Sequence, residues 1–145
     1  MPDEGELIDE LSDLTLPYMW RLRQDAVRAF EELGLRPFKA LLLELIAQGL
    51  RHPKELSEVL DAVPPTISAM LGELEQRSLI RRDPDPDDRR LVQLRLTPAG
   101  EAMRAEMRAA WRRVSRERFE HLSRGELAAL LRLYHKLIGA SSRTS

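Results

Sequence analysis

Residues 81–90 read RRDPDPDDRR, with four aspartates and two prolines between two Arg–Arg pairs. Asp83, Asp85 and Asp87 have the Asp-x-Asp-x-Asp rhythm of a calcium loop, whose ligands are alternating oxygens. The rhythm then fails. Asp88 stands where the sharp-turn glycine belongs, and Leu94 stands where the bidentate glutamate belongs. His52, His121 and His135 fall in different predicted elements with no i,i+4 pair. They read as surface or capping residues, so neither a metal nor a cofactor is expected.

No catalytic residue is expected either. The chain carries no Gly-rich phosphate loop, no G-x-S-x-G and no H-E-x-x-H, and its seven glycines are scattered singly. What remains is chemistry suited to nucleic acid. Thr66 and Ser68 lie in the first turns of a predicted helix, and such turns can reach base edges in a major groove. Arg89 and Arg90 end the acidic tip, and a minor groove attracts arginine by its negative potential. A purely structural hairpin with solvated arginines fits the same residues, and the hairpin by itself does not separate the two readings.

The elements around these residues follow from periodicity. Leu7, Ile8, Leu11, Leu14, Tyr18, Leu22, Ala26, Phe30 and Leu33 recur at helical steps, with an interruption expected near Pro17 and a stop at Gly34. Leu41, Leu42, Leu45 and Ile46 form the stripe of a second helix that ends at Gly49. Pro53 starts a short third helix with Leu56, Val59 and Leu60 inward. Pro64 and Pro65 start a fourth, with Ile67, Met70, Leu71 and Leu74 inward. This pair outlines a helix-turn-helix.

LIRR and LVQLRL then predict two strands, the second with Val92, Leu94 and Leu96 on its buried face. A hairpin of two strands cannot stand alone and must lean on the helices. Thr97 and Pro98 open a long helix with Met103, Met107, Trp111 and Val114 inward; core or subunit interface is the first reading of Trp111, and a ligand pocket the second. SRGE (123–126) is a capping box for a last helix, with Leu127, Leu130, Leu131, Tyr134, Leu137 and Ile138 inward, and GASSRTS is expected to fray. The fold class is mainly α with a small β-hairpin (α+β).

At 145 residues, 43% apolar and 32% charged, the chain suits one globular domain. No apolar run approaches the roughly 20 residues that span a bilayer. The acidic start MPDEGELIDE resembles neither a signal nor a transit peptide. The lack of cysteine excludes disulfides and thiol sensing and suits the cytoplasm. The net charge of −1 is unevenly spread: residues 1–20 hold acids and no Lys or Arg, whereas residues 100–145 are rich in Arg. Helical ends of opposite charge can pack together, within or between chains.

The run PTISAMLGELEQRSLIRRDPDPDDRRLVQLRLTPAG resembles the winged-helix segment of the MarR family of bacterial transcriptional regulators. The resemblance rests on Thr66 and Ser68, Leu74, Leu79–Ile80, Asp88 and Arg90, Leu96–Thr97 and Gly100. It is dense over 56–102, and the helix order extends it over most of the chain. It implies one domain, 1–145. Residues 1–34 and 101–140 would form a helical dimerisation region, and 35–100 a winged helix-turn-helix that binds DNA.

The resemblance further implies a homodimeric repressor on a near-palindromic operator. Pro65, Thr66, Ser68 and Ala69 would face the major groove, Arg89 and Arg90 would serve the minor groove, and Asp88 would orient the arginine. A small aromatic or amphipathic effector between the layers is compatible with it; an enzyme or a membrane protein is not expected. Four positions depart from the family pattern. Ala69 and Glu73 replace basic residues, Val63 replaces a polar cap, and Ser78 replaces glycine. Ala69 and Glu73 leave room for an alternative, a winged-helix protein–protein module with weak or lost DNA binding.

Overall fold

A computed structural model describes residues 1–141. The order is α1 (Glu4–Glu31), α2 (Pro37–Ala47), α3 (Pro53–Leu60), α4 (Pro64–Gln76), β1 (Ile80–Pro84), β2 (Val92–Leu96), α5 (Pro98–Phe119) and α6 (Arg124–Ser141). This is the predicted succession of four helices, a hairpin and two helices. Helix α6 takes in Gly139–Ser141, which were expected to fray. The rest of that tail lies outside the described residues.

Local chemistry sets most of the boundaries. Asp3 caps α1 in a capping box with Glu6. Ser123 and Glu126 make the same reciprocal pair at the start of α6, at 2.8 and 3.2 Å. The helix α1 runs unbroken through Pro17, contrary to expectation. Proline deletes one helical donor and crowds the preceding turn. This stretch of α1 is exposed, so solvent can take the freed carbonyl.

The core gathers α2, α3, α4 and the hairpin. Leu42, Leu43, Leu56, Ile67, Leu71, Leu74 and Leu94 are completely buried there. Three expected inward residues turn outward: Leu41 on α2, Val59 on α3 and Val92 on β2. On α2 the buried stripe is Ala40, Leu42, Leu43 and Ile46. Val92 sits opposite Pro84, at the last pair of the ladder. Ala29 of α1 and Met107 and Ala110 of α5 are buried where the two long helices pack.

The first half of α1 and most of α6 bury almost nothing in one chain. Leu7, Ile8, Leu11 and Leu14, part of the apolar stripe read from the sequence, are exposed, as are Met19 and Trp20. On α6, Leu127 and Leu131 were expected inside and are exposed; Leu130 and Tyr134 are half-buried. Tyr134 meets Tyr18 of α1 through their hydroxyls at 3.4 Å, and this contact and burial push its phenol up to about 12.

Polar clamps tie the layers. Arg104 of α5 grips Glu44 of α2 through Nε and Nη2, each at 2.9 Å, and Arg108 adds a contact at 3.3 Å. Arg118 of α5 holds the buried Asp25 of α1, with Nε at 3.0 Å. Arg77, at the end of α4, donates to the carbonyls of Gly34 and Leu33 at 2.8 and 3.0 Å.

At the junction between hairpin and α5 the two backbones approach closely. Thr97 donates its N–H to the Leu79 carbonyl at 3.1 Å and accepts from Gly100 N–H at 3.0 Å. Its hydroxyl donates to the Ser78 carbonyl. A Cβ on Gly100 would lie 2.0 Å from the Leu79 oxygen. Only glycine lets the helix start so near a strand. Gly100→Ala is therefore expected to cost about 2–3 kcal/mol in urea unfolding, by forcing α5 off the hairpin.

Glu44 gives a pH prediction. The hydrogen bond from Arg104, opposed by desolvation and aided by Arg108, lowers its carboxyl from 4.5 to about 2. A depressed carboxyl stabilises the fold above its unfolded value, and that stability is lost as pH falls through the folded value. Glu44→Gln should lower stability by about 1–2 kcal/mol at neutral pH. The difference from the parent protein should shrink between pH 4.5 and about 2, measured by urea unfolding.

Candidate nucleic-acid interface

The helix α4 is held by one face and bare on the other. Ile67, Leu71 and Leu74 are buried, while Pro65, Thr66, Ser68 and Ala69 are exposed on the opposite side. The preceding turn is sharp because Asp61 adopts a left-handed conformation, φ 47. Val63 occupies the cap position with no side-chain cap bond. Pro64 and Pro65 have no N–H, and the next two, on Thr66 and Ile67, both go to the Val63 carbonyl at 3.0 and 3.3 Å. The start of α4 therefore has few backbone donors for a phosphate, unlike most helix N-termini.

The acids on this helix are less exposed as charge than the sequence implies. Glu73 is paired with Lys39 of α2, and Glu75 with Arg82 of β1 at 3.2 Å. Their repulsion of any nearby anion is partly neutralised within the fold. Ser78, which stands where the family pattern has glycine, adopts a left-handed conformation, at φ 58. It turns the chain from α4 into the wing.

The wing is an antiparallel ladder from Ile80↔Leu96 to Pro84↔Val92. The Leu94 N–H also donates to the Arg51 carbonyl at 2.7 Å, which fastens β2 to the segment before α3. At the tip, Asp88 accepts from the Arg90 backbone N–H at 3.0 Å and from its Nε and Nη2 at 3.1 Å each. These bonds hold the Asp88 carboxyl below its ordinary range and raise the Arg90 guanidinium. The Arg90 side chain is nevertheless 90% exposed. Arg89 is exposed beside it.

The other aspartates of the tip do not converge on a metal. Asp83 faces Arg81 and Arg95, at 3.1 and 3.4 Å. Asp85 is buried and turns inward. Its Oδ1 accepts the N–H groups of Asp87 and Asp88 at 2.8 and 3.1 Å, and its Oδ2 lies 3.2 Å from Nε2 of His52. Among the described residues, no cluster of three or more His, Cys, Asp or Glu could hold a metal ion. His52 stands at the cap position of α3 but makes no cap bond. The local signal for Asp85 is its place before Pro86, where an aspartate organises a turn through the following N–H groups. Nothing local points to His52.

A cavity of about 350 Å³ opens between α1, α2 and α5. Phe30, Leu41, Met107 and Trp111 make its wall apolar, and Glu44 and Arg108 stand at its edge. The rings of Phe30 and Trp111 are tilted, with centroids 6.5 Å apart. Trp111, read first as core or interface, is a half-buried wall of this space.

Comparison with known proteins agrees with this arrangement. The model of the MarR family matches residues 40–92, from α2 through the wing. The HTH-type transcriptional repressor MdtR of Bacillus subtilis is 25% identical over 142 residues, covering 97% of this chain and 92% of that protein. The HTH-type transcriptional repressor NicR of Pseudomonas putida is 34% identical over 97 residues, 67% of this chain and 61% of that protein. A mutant of Escherichia coli MarR complexed with operator DNA has the same fold, with a TM-score of 0.69, 23% identity, and coverage of 94% of this chain and 99% of that one. The family match over the winged unit, the near full-length relative and the shared fold together place the chain in the MarR family.

Proposed function

We propose that the chain is a homodimeric transcriptional repressor that reads a near-palindromic operator through residues 35–100. The observation that carries this reading is the pairing of a bare, small-residue helix face with an exposed arginine held at the wing tip. The α4 face of Pro65, Thr66, Ser68 and Ala69 enters the major groove, where Thr and Ser contact base edges and Ala contacts a thymine methyl. Arg89 and Arg90 reach the minor groove. With few donors at the start of α4, the wing carries a large share of the affinity. The repressor sign is supported by the two repressors among its relatives.

The dimer is supported by the exposed apolar residues of α1 and α6 and by the charge of those ends. Leu7, Leu11 and Leu14 need a cover, as do Leu127 and Leu131. The acidic first turns of α1 complement the Arg-rich α5 of a second copy, so residues 1–34 and 101–140 form the dimer layer. The cavity between α1, α2 and α5 spans this layer and the winged unit. Its aromatic wall and charged edge suit a small aromatic or amphipathic effector.

Fluorescence anisotropy with the gene's own upstream DNA tests the reading. Affinity should fall linearly on a log–log plot against salt, as bound phosphates release counterions. Arg90→Ala should weaken operator binding by about 1–3 kcal/mol, with a smaller loss on random DNA. Unchanged operator affinity would remove Arg90 from the interface, and the absence of any selective site at low salt would favour a protein–protein module. Leu11→Glu should convert the dimer to monomer in sedimentation equilibrium and abolish operator binding, while a dimer that persists would displace α1 from the interface.

A further inference from the structure

His52 and Asp85 form a connection that the wing's own arginines do not explain. His52 precedes α3, far from the wing in sequence. Its Nδ1 lies 3.1 Å from the Val92 carbonyl, and its Nε2 lies 3.2 Å from the Asp85 carboxylate. Both partners are acceptors without a hydrogen of their own. A neutral imidazole has one N–H, so it can serve only one of them; an imidazolium donates to both. The two partners sit at opposite ends of the tip loop, on either side of residues 86–91. With both ring nitrogens protonated, His52 pins both ends of that loop to the start of α3.

The contact extends to the groove-facing arginine through a chain of bonds. Asp85 Oδ2 meets His52, and Asp85 Oδ1 accepts the N–H of Asp88 at 3.1 Å. The Asp88 carboxylate then grips the Arg90 guanidinium at both Nε and Nη2. The last pair is exposed, and an exposed ion pair of two mobile side chains contributes little by itself. Here the aspartate is fixed from behind, since its backbone is tied to a buried carboxylate. Asp85 has a 10% exposed side chain and His52 a 26% exposed one, so the first link is sheltered where the last is not. Asp85 of the tip loop is the charged group facing His52 in the described contacts, β2 presents only the Val92 carbonyl, and Lys54 and Glu55 are its charged neighbours on α3.

We propose that His52 and Asp85 are positioning residues for Arg90, with doubly protonated His52 locking the wing in its DNA-reading shape. The inference rests on the wing reading DNA, as proposed above. The sign follows from the donors. A second ring proton lets His52 donate to both partners at once, so operator affinity is stronger at low pH than at high pH. Lys or Arg at Asp85 would repel His52, and Asn at Asp85 would keep the turn but lose the carboxylate.

The test is a double-mutant cycle read by anisotropy on the operator at low and at high pH. His52→Ala should weaken binding by about tenfold at the lower pH and remove most of the pH dependence. In an Arg90→Ala background the same substitution should add almost nothing, because its effect passes through Arg90. His52→Gln keeps a donor near the Nε2 position and should restore part of the affinity with no pH dependence. Asp85→Asn should also flatten the pH profile. A readout without DNA is amide exchange at Asp88, which should speed up in His52→Ala.

Equal losses from His52→Ala with and without Arg90, or an unaltered pH profile in His52→Gln and Asp85→Asn, would overturn the inference while leaving DNA binding in place. Wild-type protein that selects no DNA at either pH would overturn the functional reading itself.

Discussion

Ser78, Leu79, Thr97 and Gly100 meet where three functional parts of the chain join. The helix α4 ends there, the wing both leaves and returns there, and α5 begins there. Two backbone strands and a helix start are drawn together by the Thr97 bonds to Ser78 and Leu79. The absence of a side chain at Gly100 makes the approach possible. Because the wing is anchored at this junction, the direction of α4, the tilt of the hairpin and the seat of α5 are set together. A shift in one cannot be absorbed without moving the others, since packed cores have few intermediate arrangements.

Charge is used here mainly for positioning. Most of the acids near α4 and the wing have a cation partner in the same chain: Glu73 with Lys39, Glu75 with Arg82, Asp83 with Arg81 and Arg95, and Asp88 with Arg90. Such pairs add little stability in water. They do restrain long side chains, and they lower the net attraction for any polyanion. A surface built this way favours recognition by shape and placement over bulk electrostatic binding, in keeping with a near-neutral chain.

The same clamps join the helical layer to the winged unit. Arg104 and Arg108 link α5 to Glu44 on α2, at the edge of the aromatic cavity. Arg77 links the end of α4 to the end of α1. Phe30 and Trp111, which wall the cavity, stand on elements tied into the fold by these contacts, and α1 is joined to the end of α4 by the Arg77 bonds.

The succession of elements was legible in the sequence because each boundary has local chemistry: Pro53, Pro64 and Pro98 at helix starts, Thr97 and Ser123 as caps, and alternation in β2. Pro17 misled because the cost of one lost bond is small on an exposed helix and the remaining residues still favour it. Leu41, Val59 and Val92 misled because periodicity marks apolar residues without showing how much of each helix or strand face a neighbour covers. The winged-helix resemblance, with Thr66, Ser68, Asp88, Arg90 and Gly100, was carried by local motifs. The tertiary structure alone decided that Asp85 points inward while its neighbours remain outside. There it meets His52, a residue remote in sequence, and no local pattern encodes a contact between distant segments. It likewise decided that Glu73 and Glu75 meet cations, since their partners lie on α2 and β1. Composition and spacing determined which residues could act at the wing; only folding brought together the groups that hold them in place.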